Sequence, residues 1–230
     1  MADERASTAS DCSPTASFVV PARNEADYLP ATLASIRELE TDEPYEVVVV
    51  DGESNDCTVD VAEAQGARVY HQNGRGIGPA RDLGATHARG DWLAFVDADT
   101  VVRPEYLDAM LGFVEREGLD GASSRCRLTG PRRAKPMEWT INYVFPRLLG
   151  PVLPGFNCFV HREAYRDAGG FPDVPNEDTA FSRRLGRVAE TGYCPRVLVE
   201  SSGRRIADVG LTGTLYHYLR LDWGRVTTDY

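Results

Sequence analysis

Lysine is almost absent from this chain: Lys135 is the only one in 230 residues, and arginine carries nearly all the positive charge. Positive charge is in short supply overall, with 25 basic against 35 acidic residues and a formal net charge of −10. A protein of that sign lacks the basic footprint that general nucleic-acid binding needs, and it gains little from anionic lipid. Any anionic ligand must then be met by arginines placed locally. Cysteine is sparse and unpatterned. The five, Cys12, Cys57, Cys126, Cys158 and Cys194, are odd in number and form no C-x-x-C. That argues against a disulfide framework or a zinc site and for reduced thiols. His71, His87, His161 and His217 show no metal-ligand spacing either. Long apolar runs are also missing. The most apolar window, residues 141–160, holds Arg147 and three prolines. A spanning helix needs about 20 apolar residues without such breaks. No basic stretch followed by an apolar one opens the chain, so no secretory leader is expected. The expected location is cytoplasmic, with peripheral contact at the inner face of a membrane left open.

What is present is a rhythm. The chain is 42% hydrophobic, enough for a sizeable core. Residues 1–15 are polar and read as a disordered arm; residues 16–230 read as one domain. Within it, residues 17–20 form a short apolar strand closed by Pro21. Residues 29–39 carry apolar side chains at Leu29, Leu33, Ile36 and Leu39, a helical period. Residues 47–50 are an apolar strand ending at Asp51. A helix over 59–65, a strand over 67–70, a helix over 78–88 and a strand over 91–96 follow. A helix over 104–117 has proline in its first turn. Strands that are apolar throughout and alternate with helices predict an α/β fold with a parallel sheet covered on both faces. Beyond it the pattern loosens. Strands are expected over 121–128, 154–160 and 194–200, and helices over 161–168, 178–188 and 211–221. A basic turn spans 131–136. Residues 16–103 read as a nucleotide-binding half and 104–230 as an acceptor half.

The chemistry-bearing residues sit at the ends of the predicted strands. Asp97-Ala98-Asp99 closes the apolar run from Trp92 to Val96. Residues two apart in a strand point the same way, so both carboxylates can emerge together at its C-terminal edge. Open α/β sheets bind ligands there. Two hard oxygen donors suit Mg²⁺ or Mn²⁺ carrying a phosphate, and a strand-ending turn is the plain alternative. The first strand ends in Pro21-Ala22-Arg23-Asn24-Glu25, the second in Asp51-Gly52-Glu53-Ser54-Asn55-Asp56. Asp51 can accept a base N–H, Gly52 lets backbone approach a ring, and Asp56 reads as a helix N-cap. Gly74-Arg75-Gly76-Ile77-Gly78 precedes a helix whose first amides attract phosphate. Arg75 and Arg81 are cations placed for a pyrophosphate. Glu177-Asp178 opens a later helix, as complement to the macrodipole or as a general base. Arg204-Arg205 follows the last strand, as a diphosphate clamp or as a solvated pair.

The ordered set P-A-R-N-E, V-V-V-V-D-G-E-S-N-D-C-T, G-R-G-I-G-P-A-R-D-L-G, F-V-D-A-D-T, G-G-F-P and N-E-D resembles the family 2 glycosyltransferases of the GT-A fold, over residues 17–210. The resemblance implies an inverting enzyme that takes its sugar from a nucleoside-diphosphate sugar, a UDP- or GDP-sugar. It implies that Pro21, Ala22 and Glu25 hold the nucleoside and that Asp51 contacts the base. Asp97 then lies near ribose and sugar, Asp99 holds Mg²⁺ or Mn²⁺, and Asp178 is the catalytic base. Arg204 and Arg205 look like a late arginine pair. Arg23, Gly52, Ser54, Arg75, Gly76, Arg81, Ala98 and Glu177 complete the candidate donor site. The partners implied are that donor and an acceptor sugar or lipid-linked glycan. Asp82 departs from the family pattern, which often has asparagine there. Three other readings stand beside it, of which a Rossmann oxidoreductase is disfavoured because the glycine loop follows the third strand rather than the first. A sugar nucleotidyltransferase is disfavoured because the loop after the first strand has no glycine. A non-catalytic nucleotide-sugar subunit would have no need of Asp178.

Overall fold

The structure is a computed structural model that describes residues 13–74, 76–130, 134–147 and 152–203. The first twelve residues of the arm, Arg75, part of the basic turn, the Arg204-Arg205 pair and the expected helix over 211–221 lie outside the described residues. Four strands form the expected parallel half: β1 (Ala16–Ala22), β2 (Tyr45–Asp51), β3 (Arg68–His71) and β4 (Trp92–Phe95). Their order is β3-β2-β1-β4, all parallel. Every β1 residue is buried, as a strand covered on both faces requires. Alternation divides it between two cores. Phe18 and Val20 join one with Tyr106 and Phe159; Val19 joins the other with Phe95, Phe171 and Phe181.

Helices α1 (Leu29–Arg37), α2 (Thr58–Ala64) and α3 (Ile77–His87) connect these strands. Leu29, Leu33 and Ile36 are the buried face of α1, as their spacing predicts. Gly84 lets α3 lie directly on the sheet, because a Cβ there would come 2.4 Å from Val19 Cγ1. Asp56 sits one residue before the α2 cap, Cys57, yet its carboxylate accepts the Thr58 N–H at 3.0 Å. Thr15, counted in the expected arm, donates its N–H to the Pro44 carbonyl at 2.7 Å.

The sheet continues through β7-β6-β8-β5, giving eight strands in one mixed sheet. These are β5 (Thr100–Val102), β6 (Gly121–Thr129), β7 (Cys158–His161) and β8 (Thr191–Ser202). β7 runs antiparallel to β4, which joins the halves. Helices α4 (Tyr106–Glu117), α6 (Arg162–Asp167) and α7 (Glu177–Leu185) cover it. Several expectations shift here. β5 was not foreseen, since three residues carry no period. Helix α5 (Lys135–Trp139), followed by a π turn and a 3₁₀ turn through Arg147, begins within the expected basic turn over 131–136 and runs on into a stretch for which no element is expected. α4 starts after Pro104 rather than on it. β7 is shorter than expected, and β8 is longer because a bulge absorbs Pro195: the β6 partners jump from Cys194 to Val197. Among the described residues no helix is long and apolar enough to cross a membrane.

Candidate active site

The register of the sheet brings the first two motifs level, because Ala22 pairs with Asp51. β4 runs beside β1 in the same direction, and the Val96 N–H bonds the Val19 carbonyl at 3.1 Å. Asp97 and Asp99 therefore leave the sheet on the same edge as Pro21 and Asp51. The loops after β1 and β2 are tied to each other. The Gly52 N–H donates to the Ala22 carbonyl at 2.8 Å, the Asn24 N–H to Ser54 Oγ at 2.9 Å, and the Glu25 N–H to Thr58 Oγ1 at 2.8 Å. Asn24 Oδ1 returns the tie by accepting the Asn55 N–H at 2.8 Å. Asp51 is 4% exposed; its two oxygens accept the Ser54 N–H at 3.3 Å, and His71 Nδ1 lies 3.4 Å away. Arg23 is exposed beside Gly52.

Backbone strain collects in these loops. Among the described residues three non-glycine residues have positive φ: Asn24 (53°), Glu53 (61°) and Asn176 (53°). Two follow β1 and β2, and the third precedes α7. Such positions cost about 1–3 kcal/mol each and gather at ligand sites. Motif reading alone did not single out Glu53 or Asn176. A glutamate in the left-handed region has no local sequence mark.

The glycine at the cap of α3 and the one in its first turn set how the helix starts and packs. Gly76 caps the helix at φ 120°, and a Cβ on Gly78 would come 2.5 Å from the Pro172 carbonyl oxygen. This close approach brings α3 against the start of α7. It also places Arg81, which differs from its expected role. Arg81, expected to meet a pyrophosphate, has its guanidinium paired with two carboxylates of this chain. Its side chain is 2% exposed, with Nη2 2.7 Å from Asp97 Oδ1 and Nη1 2.5 Å from Glu177 Oε1. Its guanidinium lies 5.2 Å from the Phe171 ring centroid. Glu177, placed with the donor residues, is likewise a partner of Arg81. Burial raises its pKa above the ordinary carboxylate value, the charge of Asp178 acts in the same direction, and Arg81 opposes both.

Asp178 is the second residue of α7 and is half-buried. Its Oδ1 accepts the Thr179 N–H at 2.6 Å, and its carbonyl accepts the Ser182 hydroxyl at 2.7 Å. Ser182 Oγ in turn accepts the Leu153 N–H at 2.9 Å. Asp82 bonds the Tyr165 hydroxyl at 2.9 Å, so its departure from the family pattern serves the contact of α3 with α6. Ala98 is buried between the two aspartates, and its carbonyl accepts from Thr32 Oγ1 at 2.8 Å. Burial pushes the Cys126 and Cys158 thiols up to about 12, so both stay protonated at neutral pH. No group of three or more His, Cys, Asp or Glu side chains among the described residues converges as a metal cage.

Comparison with known proteins finds relatives of this chain by sequence and by fold. The putative glycosyltransferase EpsH of Bacillus subtilis is 33% identical over 103 residues, 43% of this chain and 30% of its own length. Glycosyltransferase AglE of Haloferax volcanii is 24% identical over 195 residues, 78% of this chain and 63% of its own. The chain thus spans only about a third of the first curated relatives it matches. Among solved structures, the mannosyltransferase PcManGT from Pyrobaculum calidifontis, in complex with GDP-Man and Mn²⁺, superposes with a TM-score of 0.73 at 20% identity. That match covers 96% of this chain and 66% of PcManGT. Residues 1–349 of S. aureus TarS superpose with a TM-score of 0.69 at 20% identity, over 82% of this chain and 60% of that one. These likenesses place the curled mixed sheet in the GT-A fold. The model of the family described as "Glycosyl transferase family 2" matches residues 17–168, which takes in Asp51, Arg81, Asp97 and Asp99 and stops before Asp178. This chain belongs to glycosyl transferase family 2.

Proposed function

We propose that this chain is an inverting glycosyltransferase that moves a sugar from a UDP- or GDP-sugar to an acceptor hydroxyl or phosphate. The observation that carries the reading is the shared edge. Asp51, Asp97 and Asp99 leave parallel strands on one side, and α7 brings Asp178 to the same side through the Arg81 bridge. Solved relatives support the donor class: TarS has been seen with UDP-GlcNAc and PcManGT with GDP-Man and Mn²⁺.

Each residue then has a task. The loops after β1 and β2, with Pro21, Ala22, Glu25 and Ser54, flank the nucleoside, and Asp51 accepts a base N–H. Asp97, with Oδ1 taken by Arg81, is oriented toward ribose and sugar. Asp99 holds Mg²⁺ or Mn²⁺. The donor set fits such an ion, because Mg²⁺-type sites use one or two carboxylates plus phosphate oxygens and water rather than a full protein cage. The bound ion supplies charge neutralisation to the departing diphosphate. Arg75, Arg204 and Arg205 lend further positive charge. Asp178 takes the acceptor proton as the acceptor oxygen attacks the anomeric carbon opposite the leaving diphosphate. A carboxylate of ordinary basicity does this only in concert with bond formation, so alignment carries much of the rate. The acceptor, a sugar or a lipid-linked glycan, meets residues 104–230. The exposed Trp139 and Tyr143 there, beside a cavity of about 530 Å³ also lined by Val144 and Arg147, are suited to stack on it. The working location is cytoplasmic, at the inner face of a membrane when the acceptor is lipid-linked.

A screen of UDP-, GDP- and dTDP-sugars by thermal shift, with and without Mn²⁺, tests the reading. One donor should raise the melting temperature by mass action, and more so with Mn²⁺. Asp99→Ala should lose the Mn²⁺-dependent part alone. No shift with any nucleotide sugar would sink the proposal.

A further inference from the structure

We propose that Arg81 and Glu177 form a positioning clamp that couples the donor edge of the sheet to the helix bearing Asp178; this rests on the glycosyltransferase reading above. The clamp spans three segments far apart in the chain. Arg81 lies on α3, Asp97 follows β4, and Glu177 is the first residue of α7 with Asp178 next to it. A guanidinium is a rigid planar fork, so bonding a carboxylate through each terminal nitrogen fixes the two carboxylates relative to each other.

The surroundings leave the fork little freedom. A Cβ on Gly155 would come 2.4 Å from Arg81 Cζ, and the Phe171 ring lies close beside the guanidinium. Arg81 Nε is buried and has no acceptor among the described residues. That orphaned donor is a cost that a simple core position would not carry. Stability alone gives no reason for the arrangement, since apolar residues of similar volume often replace a buried ion pair without loss. The charge balance points the same way. One guanidinium faces Asp97 and Glu177, and the charge of Asp178 also acts on it. Arg81 thereby keeps carboxylates of the donor edge and of the base helix together that would otherwise repel each other. Any shift of Asp97 toward bound donor is passed to Glu177, and so to Asp178. Arg81 and Glu177 touch no reacting atom in this scheme; they act through the groups they hold.

The test uses the full chain with UDP and GDP, each with Mn²⁺, as probes. Hydrogen exchange of residues 177–182 is followed with and without nucleotide in the wild type, Arg81→Lys and Glu177→Gln. In the wild type, nucleotide should slow exchange there. In both variants nucleotide affinity should stay within about threefold while that slowing disappears. Turnover should fall about 10- to 100-fold, the effect of misplacing a reacting group, with little change in donor KM. If Arg81→Lys does not fold, Glu177→Gln, a neutral isostere, decides. Variants that keep both the slowing and the turnover overturn the clamp. A wild type that binds neither nucleotide overturns the glycosyltransferase reading, and the clamp falls with it. A wild type that binds nucleotide without any slowing at 177–182 overturns the clamp alone.

Discussion

The two halves of the sheet solve different problems. In β3-β2-β1-β4 all strands run one way, β1 is buried throughout, and the loops after β1 and β2 are tied backbone to side chain at one edge. In β7-β6-β8-β5 neighbours run in both directions, β8 bulges at Pro195, and one strand has three residues. The parallel half is a platform whose loops present carboxylates. The mixed half carries α7, with Glu177 and Asp178, and the exposed Trp139 of α5 with Tyr143 in the turn after it. The strand-end carboxylates thus come from local motifs, whereas Asp178 reaches its place only through packing between distant segments.

The sharpest way to break this contrast is Asp178→Asn. The variant should fold as the wild type and lose about 10²–10⁴ in turnover, the usual worth of a general base, as measured by donor consumption. Undiminished turnover would leave the mixed half without a part in the chemistry. Next comes the seam. Phe159 on β7 is fully buried, stacks on Trp92 of β4 at 4.8 Å and meets Tyr106 edge-on at 6.5 Å. Phe159→Ala should cost about 3–5 kcal/mol in denaturant unfolding, with a single transition for both halves. Two separate transitions would show that the halves are independent.

A pair of glycines compares the halves directly. A Cβ on Gly90, before β4, would lie 2.5 Å from the Ala16 backbone carbon and 2.6 Å from the Ser17 nitrogen. One on Gly192, in β8, would lie 2.5 Å from Leu119 Cδ1, the far end of a side chain that can turn. Gly90→Ala should therefore cost about 1–3 kcal/mol and Gly192→Ala under about 1 kcal/mol. Equal costs would mean that the parallel half yields as readily as the other.

The smallest effect concerns pH. Burial pushes the Glu46 carboxyl up, but hydrogen bonds from the Ser17 hydroxyl, the Arg89 N–H and the Arg68 guanidinium outweigh it, and the net pKa is lowered. Its contribution is therefore full above the unfolded value and lost as pH falls through the folded one. The raised pKa of Glu177 has the opposite sign: its contribution is full at low pH and lost as pH rises through the folded value. Acid should thus weaken the β1–β2 corner and ease the clamp. Glu46→Gln should flatten the acid limb of a melting-temperature profile below the ordinary glutamate value of 4.5, by under about 1 kcal/mol after solvent screening. An unchanged limb would place the acid sensitivity elsewhere.

Much of the parallel half was legible in the sequence. Continuous apolar runs closed by Pro21, Asp51 and Asp97 have one good solution, strands buried on both faces with their ends together. Period alone placed Leu29, Leu33 and Ile36 on the buried face of α1. The mixed half was less legible for physical reasons. β5 is too short to show a period, β8 hides a proline in a bulge, and α5 begins in a segment that reads as a basic turn. At the site, residue types were readable and partners were not. Arg81 reads as a cation placed for a pyrophosphate, yet it is nearly sealed in by Gly155, Phe171 and two carboxylates.

The sequence by itself determined the family, the order of the strand-end motifs and the carboxylates that crown them, because each is written in consecutive residues. Only the tertiary structure decided that Arg81 would meet Glu177, 96 positions away, and so tie the start of α7 to Asp97 at the end of β4. A contact of that span leaves no local period or spacing to read. It exists because Gly78 and Gly155 let backbone and guanidinium come closer than any Cβ would allow, and because a buried charge cannot stay unpaired.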